Sequence, residues 1–376
     1  MNFCTLFLKT ENVHLMKDIG QLPFCLKEDY GYHAYIATYN NGEYPYLTNE
    51  VKGLELKFVK KSSLGQAFDG LRFLFKMHKK IDVLNVYHLN LNSFLWILFF
   101  KMIRGKKAIV YLKLDADHLE IGKMQHKNLK AWVKKITINS ADIVSAESSV
   151  MQEALQKYCK EKILYIPNGY LDFEKTEKEI RKKENIILTV GRLGTYQKAT
   201  EVLVDAFLQA DIATDWKLVL VGSMTEEFKT WMKNGEQEYP DAQKRILLLG
   251  NIENKELLQE WYCRAKVFSL PSRYESFGIV LIEAMLQGCY IVTSDVVLAA
   301  KDLIQDERMG CMVKANSREE LADTLTKISH LEMDWDNNAR RIEGRIEDKF
   351  LWKNILQPLD DRIRNCMEEY KCRTQK

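Results

Sequence analysis

No apolar run in the sequence exceeds seven residues, Phe94–Phe100, so a membrane-spanning helix of about twenty residues is excluded. The opening stretch MNFCTLFLKTEN has no basic n-region and meets Lys9 before any small-residue cleavage site. No signal peptide is evident, and the expected compartment is the cytoplasm. The eight cysteines are scattered, with no C-x-x-C pair; neither a disulfide framework nor a zinc knuckle is expected, and most should be small reduced hydrophobes. Internal repeats and low-complexity tracts are absent. With 46% hydrophobic and 28% charged residues the chain is neither disordered nor fibrous. Its 376 residues, at about 100–200 per domain, give roughly two domains.

A large net charge is also missing, but the +3 conceals a division. Residues 51–135 hold 18 Lys/Arg and 6 Asp/Glu, a local net of +12, which leaves −9 for the remainder. Such asymmetry points to an anionic partner: nucleic acid, an acidic lipid surface or a charged substrate. The plain alternative is a solvated lysine-rich face.

Strand and helix patterns alternate along the chain. Strands are predicted at Cys4–Leu8, Ala34–Thr38, Val83–Tyr87, Ala108–Leu112 and Ile143–Ser145, with helices at Gly65–His78 and Phe94–Ile103 between them. A turn signal, Asn168-Gly169, precedes the almost wholly charged Glu174–Glu184. A second set follows at Ile186–Val190, Lys217–Val221, Ile246–Leu249, Val267–Leu270 and Tyr290–Thr293, with helices at Thr200–Ala210 and Asn254–Cys263. The expected class is α/β, two Rossmann-like parallel-sheet domains facing a cleft. The expected boundaries are residues 1–170, a linker at 171–184, a second domain at 185–349, and a C-terminal helix at 350–376 crossing back to the N-terminal domain. In doubly wound sheets ligands bind beyond the carboxyl ends of the strands.

The stretch Pro271–Met285, PSRYESFGIVLIEAM, leaves a buried strand and enters an apolar helix near Gly278. A helix N-terminus offers unpaired amides and a favourable dipole to phosphate, and Gly278 lets a ligand approach the backbone. Glu275 lies just before the helix and Glu283 about 7–8 Å along its axis from Gly278. Carboxylates would repel phosphate, so they should meet neutral hydroxyls on either side of it. A sugar nucleotide has that layout. The alternative makes Glu275 a helix cap and Glu283 a surface residue. In Ile186–Ala199, Arg192 follows a strand end and Lys198 begins the next helix. Two cations across one loop can clamp a diphosphate and neutralise charge on a departing nucleoside diphosphate.

With these residues on one chain, the sequence resembles a family-4 glycosyltransferase of the GT-B fold, bacterial group-1 type, marked by two glutamates eight positions apart: Glu275 and Glu283 in RYESFGIVLIEAM. IPNGY at 166–170, VGR at 190–192 with Lys198, LVLVGS at 218–223, LLLGNI at 247–252 and FLWKNI at 350–355 also fit. The match is dense in the C-terminal half and thins to strand rhythm in the N-terminal half. The resemblance implies a retaining hexosyltransferase without metal or resident cofactor, its co-substrate a nucleoside-diphosphate sugar. Glu275 would touch the donor sugar and Glu283 the ribose. Arg192, Lys198 and the amides of Phe277, Gly278 and Ile279 would hold the diphosphate, with Arg192, Lys198 and Glu275 acting in catalysis. Asn251 and Ile252 would lie against the base. Ala199 stands where glycine is usual, Lys301-Asp302 where Gly-x-x-Glu is common, and the first loop has one glycine, Gly20, instead of a pair.

On the acceptor side Asp115, in KLDADH past a strand end, is the candidate to orient or deprotonate the acceptor hydroxyl. Asp117 and His118 are rivals, and a structural loop role stands beside each. No D-x-D run occupies a suitable loop, since Asp115-Ala-Asp117 belongs to the acceptor half. His14, Lys17 and Gly20 are candidates to line the acceptor side from the first loop. Aromatics and cations mix at Leu71–Lys80 and Phe94–Lys107, which suits the surface of an anionic bilayer, although the apolar side chains of Phe94–Phe100 also suit a sheet-facing helix. No nucleic-acid-reading motif accompanies the lysines. The expected activity is transfer of a hexose to a glycan or lipid-linked acceptor at the cytoplasmic membrane face. The alternatives are a non-catalytic GT-B subunit binding a glycan or partner protein, and a sugar-nucleotide epimerase, which the Glu275–Glu283 spacing does not fit.

Overall fold

The structure is a computed structural model that describes residues 1–116, 118–171, 182–238 and 244–374. The chain forms two compact units, Met1–Glu174 with Phe350–Lys376, and Lys175–Lys349. Among the described residues no helix is long and apolar enough to cross a membrane.

The first unit is built on seven parallel strands: β1 (Asn2–Leu6), β2 (His33–Thr38), β3 (Glu55–Phe58), β4 (Val83–Tyr87), β5 (Ile109–Leu114), β6 (Ile143–Ala146) and β7 (Leu164–Tyr165). Their order is β3-β2-β1-β4-β5-β6-β7. Every residue of β4, β5 and β6 is buried, as expected for strands covered on both faces. The edge strands β3 and β7 escape the sequence reading because neither carries a fully buried run. From β3 to β6 the crossovers advance in one direction, so right-handed connections set their helices on one face. Helices Gln66–Met77, Leu91–Arg104 and Leu129–Ser140 pack there in that order. Trp96 locks the first two: its indole N–H donates to Ala67 O at 3.0 Å, over Gly70, whose Cβ would come 2.2 Å from that nitrogen.

The predicted C-terminal helix is two helices, Trp352–Ile355 and Gln357–Thr374. Pro358 forces the break, because a proline inside a helix lacks its N–H and clashes with the carbonyl four residues back. Both pack on the first unit. Trp352 Nε1 donates to Gln21 Oε1 at 2.5 Å, and the hydroxyls of Tyr32 and Tyr370 donate to Asp360 and Asp142 at 2.7 and 2.8 Å.

The second unit holds six parallel strands: β8 (Glu184–Val190), β9 (Lys217–Val221), β10 (Ile246–Gly250), β11 (Ala265–Leu270), β12 (Tyr290–Ser294) and β13 (Gly310–Val313), ordered β10-β9-β8-β11-β12-β13. The sixth, β13, is a four-residue edge strand without a predicted counterpart. Of the predicted linker, residues 172–181 lie outside the described residues, and its last residue, Glu184, opens β8. Lys183 is buried, its ammonium donating to the carbonyls of Gln287, Ala265 and Tyr262 at 2.6, 2.8 and 3.3 Å. Strand order reverses between β8 and β11, the topological switch point at which ligands bind such sheets.

Candidate functional site

The carboxyl ends of β8 and β11 carry the candidate site of the second unit. Behind β8, Gly191 packs so tightly on Gly222 (φ +137°) that a Cβ there would fall 1.8 Å from Gly191 O. The following loop is pinned to β9's exit by Leu193 N donating to Ser223 O at 2.8 Å. The next helix begins at Thr200, where the predicted helix Thr200–Ala210 starts, and Lys198 lies just before it instead of opening it, because Ala199 takes the left-handed conformation (φ 49°, ψ 39°) at its N-cap. That geometry favours glycine.

Lys198 Nζ reaches Glu275 Oε2 at 2.5 Å, both side chains largely buried. The exposed Arg192 joins them through Gln197: its guanidinium donates to Gln197 Oε1 at 2.8 Å, and Gln197 Nε2 donates to Tyr274 O and Glu275 Oε2 at 3.3 and 3.5 Å. Arg273 fixes the same loop, bonding Tyr196 O at 2.8 Å, Glu201 and Asn316 at 2.5 Å each, and donating its own amide to Gln197 O at 2.8 Å. Gln197 and Arg273 were missed by the sequence reading, since a lone Gln or Arg in a loop carries no motif.

Glu275 immediately precedes the helix Ile279–Leu286, whose N-cap Gly278 is left-handed (φ 77°, ψ 69°). Phe277 is buried beneath it. The first amides of a helix have no intrahelical acceptor, so those of Ile279 and Val280 are available to an anion. In the second turn Glu283 accepts from the Tyr262 hydroxyl at 2.9 Å. Its residue surface is exposed while its carboxyl end is crowded by protein, and this crowding raises the carboxyl pKa against the pull of Tyr262 and Lys255. Asn251 and Ile252 follow β10, two strands from β8 on the same carboxyl edge. A cavity of 770 Å³ in this unit lies elsewhere, among the strand starts at Glu184, Lys217 and Lys266, where Arg264 already pairs Glu184.

In the first unit Asp115 follows β5 and lines a 420 Å³ cavity with His88, Asn90, Glu120 and Lys134. His88 is held at φ 65°, a strained conformation of the kind that gathers at functional sites. Burial would raise the Glu120 carboxyl, but bonds from Lys123 and Lys134 outweigh it and hold it low. Asp117 lies outside the described residues, and His118 is exposed at the start of the helix His118–Gln125. His14 Nδ1 accepts from the Glu11 amide at 2.9 Å and its ring lies 5.6 Å from Phe7; burial, then Lys17, lowers its pKa. Lys17 is exposed, and Gly20 admits no side chain because Leu15 O would lie 2.3 Å from its Cβ. Beneath Asp115 a group unmarked in the sequence is fully buried: Lys113 Nζ sits 2.6 Å from Glu147 and 3.0 Å from Asp18. Among the described residues no three His, Cys, Asp or Glu side chains are grouped to hold a metal.

Residues 184–330 match the family model described as Glycosyl transferases group 1. An uncharacterized 41.2 kDa protein of the cps region of Klebsiella pneumoniae is 26% identical over 66% of this chain and 70% of its own length. The Campylobacter jejuni N-acetylgalactosamine-N,N'-diacetylbacillosaminyl-diphospho-undecaprenol 4-alpha-N-acetylgalactosaminyltransferase is 27% identical over 44% of each chain, less than half its length. The crystal structure of Anabaena HepE in complex with UDP superposes with a TM-score of 0.73 at 17% identity, covering 97% of this chain and 99% of that one, and shows the fold. The two Rossmann-like sheets thus have the GT-B pattern, and the segment 184–330, which carries Glu275 and Glu283, matches the group 1 glycosyltransferase model.

Proposed function

We propose that the chain is a retaining family-4 hexosyltransferase, active without metal or resident cofactor. It takes a hexose from a nucleoside-diphosphate sugar bound at the second unit. The acceptor is a glycan or lipid-linked glycan of polysaccharide biosynthesis, met by the first unit at the cytoplasmic membrane face. The observation that carries this reading is the Lys198–Glu275 pair set directly before a helix N-terminus, within the family-matched segment. Glu275 is a carboxylate for hexose hydroxyls, and the first-turn amides with Arg192 and Lys198 neutralise the departing diphosphate. Glu283, with Tyr262 behind it, receives the ribose, and Asn251 and Ile252 the base. Asp115, exposed at its cavity, holds or deprotonates the acceptor hydroxyl.

The Campylobacter relative is named for a diphospho-undecaprenol acceptor and the Anabaena protein holds UDP; both are consistent with these partners. The test is nucleoside diphosphate release with a panel of nucleotide sugars, with and without acceptor, beside a thermal-shift screen of nucleoside diphosphates. A donor that raises the melting temperature and turns over supports the reading. Full turnover by Glu275→Ala or Arg192→Ala would sink the donor site, and diphosphate binding without turnover on any sugar would favour a non-catalytic subunit.

A further inference from the structure

Three neighbouring helices of the first unit are apolar on the side turned away from the sheet. Phe68 and Phe75, seven residues apart on Gln66–Met77, are 42% and 64% exposed. Leu98 and Met102, four apart on Leu91–Arg104, are 39% and 72% exposed, and Leu129 and Trp132 on Leu129–Ser140 are 73% and 56% exposed. Spacings of three, four and seven residues set side chains on one helix face, so each helix carries an outward apolar stripe besides its buried one. The sequence reading left the apolar residues of Phe94–Phe100 either at a bilayer surface or against the sheet, with the sheet favoured. Trp96, Ile97 and Phe100 do lie there, but Leu98 does not.

The charge on the same helices has one sign. They carry seven Lys and Arg and a single carboxylate, Asp69, which is fully buried and bonded by the Tyr39 hydroxyl and the Ser62 amide. Arg72, Lys101, Arg104 and Lys134 already pair with Asp69, Asp142, Asp82 and Glu120. An apolar surface that also presents Lys76, Lys130 and Lys135 complements an anionic bilayer, into which the apolar side chains sink while these lysines meet lipid phosphates. A second copy of the face would set Lys76, Lys130 and Lys135 against the same lysines, which disfavours self-association. The stripe also adjoins the Asp115 cavity: Leu91, 59% exposed, follows its Asn90, and Leu119, 48% exposed, precedes its Glu120.

We propose that the outer face of helices Gln66–Met77, Leu91–Arg104 and Leu129–Ser140 is a docking surface for an anionic lipid bilayer, inserted through Leu98, Met102 and Trp132, and that it brings the rim of the Asp115 cavity to the membrane. Its purpose, delivery of a lipid-linked acceptor to that cavity, rests on the function proposed above; its existence does not.

The test is sedimentation of the full chain with vesicles of phosphatidylcholine alone or with phosphatidylglycerol. The chain should bind the anionic vesicles and not the neutral ones, with Trp132 emission shifting to the blue in wild type and not in Trp132→Phe. Leu98→Gln with Met102→Gln should weaken binding at least about tenfold, and Lys76→Gln, Lys130→Gln and Lys135→Gln about fivefold each. Far- and near-ultraviolet circular dichroism of every variant should match wild type, which shows that the first unit is folded in each. If the apolar pair does not fold, the lysine variants alone decide. Equal binding to neutral vesicles, no vesicle binding by a chain that still binds nucleoside diphosphates, or a dimer in solution broken by Met102→Gln would overturn the surface and leave the transferase reading intact. Vesicle binding without any donor turnover would uphold the surface and defeat that reading.

Discussion

Lys198 and Glu275 stand 77 residues apart in sequence and 2.5 Å apart in space. The pair joins the loop after β8 to the loop after β11, so each half of the switch point positions the other. Arriving diphosphate would draw the ammonium toward phosphate while Glu275 turns to hexose hydroxyls. Lys198→Ala and Glu275→Ala are each expected to cut turnover by about 10²–10³-fold. Because the residues touch, the double variant should fall well short of the product of the single losses. Nucleoside diphosphate release by the three variants measures this; full multiplication of the two losses would show that they act independently.

Ala199 offers a test confined to the backbone. At φ 49° a side chain costs about 1–2 kcal/mol. Glycine removes that strain, but the unfolded chain then loses about 0.5–1 kcal/mol more conformational freedom on folding. The buried methyl, worth about 0.8 kcal/mol, is lost as well. Ala199→Gly should therefore leave stability within about 1 kcal/mol of wild type, whereas Ala199→Val, β-branched in the same conformation, should lose more than about 2 kcal/mol. Thermal unfolding of both variants reads the difference, and equal tolerance of valine would refute the left-handed cap.

These positions show what a sequence can reveal. Central strands such as Val83–Tyr87 and Lys217–Val221 were placed to the residue, because burial on both faces writes a mostly apolar run. The edge strands Glu55–Phe58 and Gly310–Val313 leave no such run and were missed. Glu275, Arg192 and Lys198 were legible through spacing around a strand end and a helix start. Gln197, Arg273, Lys113 and Glu147 were not, since their meaning arises only when the fold brings distant segments together. The outward stripe at Leu98 and Met102 was legible only as the mixed stretch Phe94–Lys107, because an apolar residue in a helix does not say which way it faces.

Lys183 connects the entry of β8 to the helix proposed to hold phosphate. Its ammonium caps carbonyls at the ends of two helices, Tyr262 O of Lys255–Arg264 and Gln287 O beyond Ile279–Leu286, where a cation is favoured by the dipole. Lys183→Met keeps the apolar stem but leaves these buried carbonyls without their donor. A loss of about 2–4 kcal/mol is expected, seen as a lower denaturation midpoint with an unchanged slope. A midpoint within about 0.5 kcal/mol of wild type would show that water replaces the ammonium.

Glu147 gives the first unit a pH dependence with a definite sign. Burial, with Asp115 and Asp18 nearby, raises its carboxyl pKa well above 4.5 despite the attraction of Lys113. Lys113 is held protonated against its own burial, chiefly by the charge of Asp18. The folded protein thus retains a proton on Glu147 where the unfolded chain has released it. With more protons bound in the folded state, stability must fall as pH rises from about 4.5 through the folded pKa. Glu147→Gln mimics the protonated form and should flatten that fall while keeping the fold at neutral pH. Lys113→Met should lose about 3–5 kcal/mol, because Asp18 is then buried without its cation. Chemical denaturation of the three proteins at about pH 5, 6, 7 and 8 decides the matter, and a wild-type stability contribution that rises with pH and survives in Glu147→Gln would refute the assignment.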